Sequence, residues 1–192
     1  MTVFDQHVAD LREALDALPA LRAPLDAAAR AVADSFVQGG KLLAAGNGGS
    51  AAEAQHFTAE LVGRLYPHRE RRALPAVALH ADTSALTAVG NDYGYDQVFA
   101  RQVEAIGRPG DVLVVLSTSG RSPNLVAAVD VANRSGLVTV GLLGPGGSPL
   151  HGACTHVLAV PSDSMAAVQE CHLVLVHLLA EAVEDHLGEG GA

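Results

Sequence analysis

His56 and Glu60 stand four apart in "GNGGSAAEAQHFTAEL", a spacing that brings both side chains to one face of a helix directly behind a glycine-rich turn. An imidazole and a carboxylate so placed serve metal ligation or proton transfer, although such a pair by itself is more often a surface contact. The second stretch with chemistry is "STSGRSPN", where Ser117, Thr118, Ser119 and Ser122 supply four hydroxyls. Gly120 permits an unusual backbone conformation, and Pro123 suits the first turn of a helix. Free N–H groups at that helix start, joined by the hydroxyls, make a cradle for a dianionic phosphate. Without the lysine of GxxxxGK[ST], the cradle suits a terminal phosphomonoester better than a triphosphate. The turn "GNGGSA" also fits GxGxxA at Gly46, Gly48 and Ala51. The acid that could hold a ribose, Asp82, lies 36 residues past Gly46 instead of roughly twenty, which argues against a nicotinamide cofactor.

These turns need strands and helices to present them. Five apolar runs rich in β-branched residues each end in small or polar residues: "KLLAAGN", "PAVALHAD", "DVLVVLSTSG", "LVTVGLLG" and "HVLAVPSDS". They read as strands. Helical patterns over 50–63, 96–106, 123–135 and 167–187 alternate with them, so the chain is a doubly wound α/β domain with a mostly parallel sheet covered on both faces. Residues 1–40 carry no strand signal. Val8, Leu11 and Leu15, then Leu25, Ala29, Val32 and Phe36, follow helical spacing, and Pro24 is expected to separate two helices. We divide the chain into this N-terminal helical segment, a core domain over 41–187, and a disordered tail over 188–192. The helices offer more apolar surface than five short strands can cover, which favours packing between subunits.

Composition narrows the function classes. The chain has 192 residues and a net charge of −9, and nucleic-acid binding through phosphates needs a basic face. The one basic cluster, Arg64 to Arg72, reads as a solvated loop. No tryptophan and 4% aromatics make base stacking an unsuitable recognition mode. The sequence holds no uninterrupted apolar run of 18 residues, and its amphipathic N-terminus does not read as a signal peptide. A cytoplasmic protein with no membrane partner is expected. Cys154 and Cys171 lack CxxC spacing and read as reduced packing residues.

The motifs "GNGGSAAEAQHF", "ELVGR", "VGNDYGYDQVFARQVEA", "GDVLVVLSTSGRSPN" and "VQECHLVLVH" occur in order between Asp34 and His186. The chain thereby resembles the sugar isomerase (SIS) domain, and within it the phosphoheptose isomerases. The resemblance implies a flavodoxin-like five-stranded parallel sheet with extra N-terminal helices, assembled as a homotetramer with active sites at subunit boundaries. It implies conversion of sedoheptulose 7-phosphate to D-glycero-D-manno-heptose 7-phosphate, the first step toward nucleotide-activated heptose. It places substrate contacts at Asn47, Gly48, Gly49, Ser50, Glu60, Asn91, Asp92 and Gln169, with phosphate at Ser117, Thr118, Ser119 and Ser122. Glu60 and His177 match the family's catalytic pair, and His56, Glu60, Gln169 and His177 match the ligands of one zinc ion per subunit.

Gln169 and His177 are eight apart, which is two turns plus about 80° and an axial offset of about 12 Å in a regular helix. Either Gln169 sits at the helix start and reaches down, or the ligands come from different subunits. His172, Glu170 and Glu181 are nearby decoys, and His172 reads as structural. Ala166 and Ala167 stand where family members usually carry an Asp-Arg pair. The competing reading is a non-catalytic SIS protein that acts through protein contacts, like the replication-initiator-associating relatives. Those relatives lose the helix glutamate, whereas Glu60 is present here. A third reading, a sugar-phosphate-sensing module, would be expected beside a DNA-binding or synthase domain.

Overall fold

The computed structural model describes residues 1–188, so residues 189–192 of the expected disordered tail lie outside the described residues. Five parallel strands form one sheet in the order β2-β1-β3-β4-β5: β1 Leu42–Gly46, β2 Ala76–Ala78, β3 Val112–Ser117, β4 Val138–Leu143 and β5 His156–Ala159. This is the flavodoxin-like order. The crossover from β1 runs to one side and the crossover into β3 to the other, so the carboxyl ends of β1 and β3 flank the switch point where such sheets bind ligands. Strand alternation divides the core. Leu42, Ala44, Val112 and Val114 face one hydrophobic cluster, and Leu43, Ala45, Leu113 and Val115 face the other.

The first face is covered by α1 Val3–Ala17, α2 Arg22–Val37, α3 Gly49–Val62 and α8 Met165–His186. The second carries α5 Ala100–Ile106, α6 Pro123–Arg134 and α7 Pro149–Ala153, while α4 Thr83–Tyr93 has no buried residue. The break between the first two helices falls at a 3-10 turn over Leu18–Leu21 that contains Pro19, not at Pro24. Pro24 sits in the first turn of α2, where its missing N–H has no helical partner to lose. The helix expected over 96–106 resolves into a 3-10 turn, Tyr95–Gln97, followed by α5. Periodicity also missed α4 and the five-residue α7, because neither offers a long apolar stripe. The 22-residue α8 has the length and apolarity of a membrane-crossing helix. Its Val168, Cys171, Leu175, Val176, Leu179 and Val183 are instead buried in the first core, against α1, α2 and α3.

His172 of α8 is fully buried, and burial pushes its pKa down to about 4, with only the Leu143 backbone pulling the other way. The unfolded chain titrates such a group near pH 6.5. Between pH 6.5 and 4 unfolding therefore takes up a proton, and His172's contribution to stability falls as pH drops. Glu53, pushed up to about 7 by burial, works in the opposite sense between pH 7 and 4.5. A His172→Gln variant isolates the histidine: between pH 7 and 5 its unfolding free energy in denaturant titrations is expected to fall by about 2 kcal/mol less than wild type. Equal losses would contradict this.

Candidate functional site

The turn after β1 and the turn after β3 meet at the switch point. Gly48, at φ +57°, starts α3 in a conformation that suits glycine. Asn47 and Asn124 exchange two side-chain hydrogen bonds, Asn47 Nδ2 donating to Asn124 Oδ1 at 3.0 Å and Asn124 Nδ2 to Asn47 Oδ1 at 2.8 Å. Tyr95 adds its hydroxyl to Asn47 Oδ1 at 3.3 Å. Asn124 is 2% exposed, and this paired amide locks the glycine turn to the hydroxyl turn. The sequence pattern alone assigns Asn124 no role. The available signal was a side-chain amide in the first turn of the helix that follows the cradle.

A cavity of about 130 Å³ opens between the turns, lined by Asn47, Ser50, Ser117, Thr118, Ser119 and Ser122. It has room for a phosphoryl group. Ser122 begins α6 without spending its side chain on a capping bond, so its hydroxyl and the helix start remain available to an anion. Ser117 Oγ accepts from the Gly120 N–H at 3.0 Å, closing the loop on itself. Gly120 has φ +62°, and a Cβ there would collide with Ser148. Arg121 turns away from the cavity, donating to the Gly147 carbonyl at 3.1 Å. Asn91 and Asp92 bond each other at 2.7 Å at the exposed end of α4 and do not line this cavity.

Leaving the glycine turn, α3 carries His56 and Glu60 alongside α8. His56 Nε2 is 2.9 Å from His177 Nε2 and 3.4 Å from Glu60 Oε1. One imidazole must donate to the other, so His56 fixes the ring of His177. Glu60 is 16% exposed and His56 41%, a carboxylate set back from solvent behind a more open imidazole. Gln169 lies elsewhere: a Cβ on Gly49 would run into its amide. The helices thus run side by side, with Gln169 on Gly49 at one end and His177 on His56 at the other, about 12 Å further along α8. Of the alternatives left open by the spacing, Gln169 does sit near the helix start, but it meets the glycine turn and does not reach His177.

Two imidazole nitrogens and a carboxylate form a donor set suited to zinc. Among the described residues, no three His, Cys, Asp or Glu side chains of one chain close on a common point. By donor chemistry His56, Glu60 and His177 suit the ion, although within one chain they do not converge on it.

The decoys occupy structural positions. Glu170 pairs with His7 of α1 at 2.7 Å, Glu181 accepts from Tyr66 at 2.9 Å, and His172 is core. Ala167 is 1% exposed, so a long charged side chain has no space there; the Ser164 hydroxyl caps α8 instead. The basic loop over Arg64–Arg72 is not uniformly solvated as expected. Arg64 pairs with Glu70 on the outside, but Arg71 is wholly buried, because α3 carbonyls and a carboxylate of α8 satisfy its donors.

The SIS domain family pattern matches residues 6–144. A phosphoheptose isomerase of Geobacter sp. (strain M21) is 48% identical over 189 residues, covering 96% of this chain and 97% of that protein. Among solved structures, the phosphoheptose isomerase GmhA from Neisseria gonorrhoeae superposes with a TM-score of 0.84 at 41% identity, covering 95% of each chain. One from Francisella tularensis gives 0.85 at 38%, covering 96% of this chain and all of the other.

Proposed function

The chain belongs to the phosphoheptose isomerase family of SIS-domain proteins, and from that premise we propose how its site works. It is a ketose–aldose isomerase that converts sedoheptulose 7-phosphate to D-glycero-D-manno-heptose 7-phosphate. The observation that carries the site assignment is the Asn47–Asn124 amide pair. It makes one rigid unit of a phosphate cradle and the start of the helix bearing Glu60.

In this reading Ser117, Thr118, Ser119 and Ser122 hold the terminal phosphate, and Asn47, Gly48, Gly49, Ser50, Asn91, Asp92 and Gln169 contact the sugar. Anchoring the far end orients the open-chain ketose, so binding energy made away from the reacting carbons lowers the entropic part of the barrier. Glu60 takes a proton from C1, leaving an enediol, and returns it to C2. His177 gives a proton to O2 and receives one from O1. His56 holds the His177 ring in place for both transfers. His56, Glu60, Gln169 and His177 would hold zinc in place of the His56–His177 hydrogen bond, and the ion when bound polarises the C2 carbonyl as a Lewis acid.

The separation of Gln169 from His177 within one chain supports a site completed by a second copy, which would bring donors to a point that no three of one chain share. Exposed apolar residues on the helical layer, among them Val3, Phe4, Leu15 and Leu178, support a homotetramer. The free thiols of Cys154 and Cys171 suit the reducing cytoplasm.

Incubating the purified protein with sedoheptulose 7-phosphate and following the aldose C1 resonance by NMR tests substrate and reaction together. Accumulation of the aldose phosphate is the expected result; an unchanged ketose spectrum at micromolar protein would refute the activity.

A further inference from the structure

Arg71 lies in the loop between α3 and β2, yet its side chain is 0% exposed and that of its partner Glu184 is 1% exposed. Arg71 Nε donates to Glu184 Oε1 of α8 at 2.6 Å. Its Nη2 donates to the Glu60 carbonyl at 2.6 Å, and its Nη1 donates to the carbonyls of Leu61 at 2.9 Å and Arg72 at 3.0 Å. Glu60 and Leu61 are in the last turn of α3, where carbonyls have no helical donor and a cation meets the negative end of the helix dipole. The same loop grips α8 twice more, through the Tyr66 hydroxyl on Glu181 and Arg69 facing Asp185 at 4.0 Å. These contacts begin one helical turn beyond His177. A single buried guanidinium therefore joins the backbone of Glu60 to the helix that presents His177.

Burying an ion pair is costly, and a well-packed apolar pair of similar volume serves stability as well or better. Capping the α3 carbonyls serves stability, but the same fork also ties the backbone of Glu60 to the helix that carries His177. We propose that Arg71 is a positioning residue for the isomerisation: it sets the distance and angle between Glu60 and His177 by clamping the last turn of α3 to α8. The proposal rests on the reading of Glu60 and His177 as the proton-transfer pair. Arginine is required because its planar fork reaches a carboxylate and three carbonyls at once; a lysine ammonium satisfies Glu184 but radiates its protons from one point.

The test compares Arg71→Lys and the double variant Arg71→Met/Glu184→Met with wild type. The first keeps the charge balance of the buried pair, and the second removes both charges, so neither leaves a lone buried ion. Both are expected to melt within a few degrees of wild type and to lose about 10- to 100-fold in kcat, with KM for sedoheptulose 7-phosphate changed less than about twofold, because displacement by an ångström acts on proton transfer and not on the phosphate anchor. Wild-type kcat in either folded variant overturns the proposal, as does a kcat loss matched by an equal rise in KM. Glu60→Gln serves as the control. If it stays active, the assignment of the base fails; if it is inactive while Arg71→Lys turns over normally, the clamp alone is wrong.

Discussion

Replacing Glu60 by glutamine is expected to lower kcat by about 10²- to 10⁴-fold while leaving the fold and KM nearly unchanged. Glutamine keeps the shape of the side chain and one hydrogen-bonding oxygen, so packing against α8 and contact with His56 survive. What it loses is the ability to accept a proton from carbon. Because Glu60 is only 16% exposed, bulk water does not readily substitute for it. Exchange in deuterated water gives a sharper reading than turnover. Wild type should wash deuterium into C1 of the ketose through the reversible enediol, and Glu60→Gln should not. Persistent C1 exchange in the variant would move the base elsewhere.

His177→Ala is expected to have an effect of similar size, about 10²- to 10⁴-fold in kcat, and to surpass His56→Ala. His177 is assigned both the oxygen proton and a place among the metal donors, whereas His56 supports the ring and the metal only. Metal content by mass spectrometry separates the roles. Both variants should retain less zinc than wild type after dialysis, since each removes one of two imidazoles whose nitrogens approach within 2.9 Å. Adding zinc back should recover more activity in His56→Ala than in His177→Ala. Should exhaustive chelation of wild type remove all metal and leave its rate unchanged, the metal role fails and the acid–base pair must suffice.

The sheet was legible because β1, β3 and β4 are buried on both faces, and such strands appear as continuous apolar runs. The short β2 was found through its flanks, since "PAVALHAD" ends in turn residues although only Ala76–Ala78 pair. The hydroxyl cradle was legible for a related reason: an anion site at a helix start uses consecutive residues, and consecutive residues are what a sequence displays. Contacts between elements were harder to read. Asn124 and Asn47 are 77 apart in the chain, and nothing local marks either amide as the other's partner. Arg71 looked solvated because its neighbours are charged, and only the arrival of α8 behind α3 supplies Glu184. The limit of helix geometry was informative as well. Two side chains eight positions apart, those of Gln169 and His177, cannot converge on one point of a straight helix, and the structure sets Gln169 against Gly49 instead.

The pairing of α3 with α8 also bears on when the protein becomes active during its synthesis. His56 and Glu60 leave the ribosome early, on the helix that follows the first strand, whereas His177 arrives on the last helix described, after all five strands. The residues of the phosphate cradle have all been made once α6 begins, but those of the proton-transfer pair have not. A domain of this kind folds as a unit, so a nascent chain that lacks α8 cannot yet turn the sugar phosphate over. Catalytic competence is thereby reserved for chains that have been translated through α8 and have closed it against the first face of the sheet.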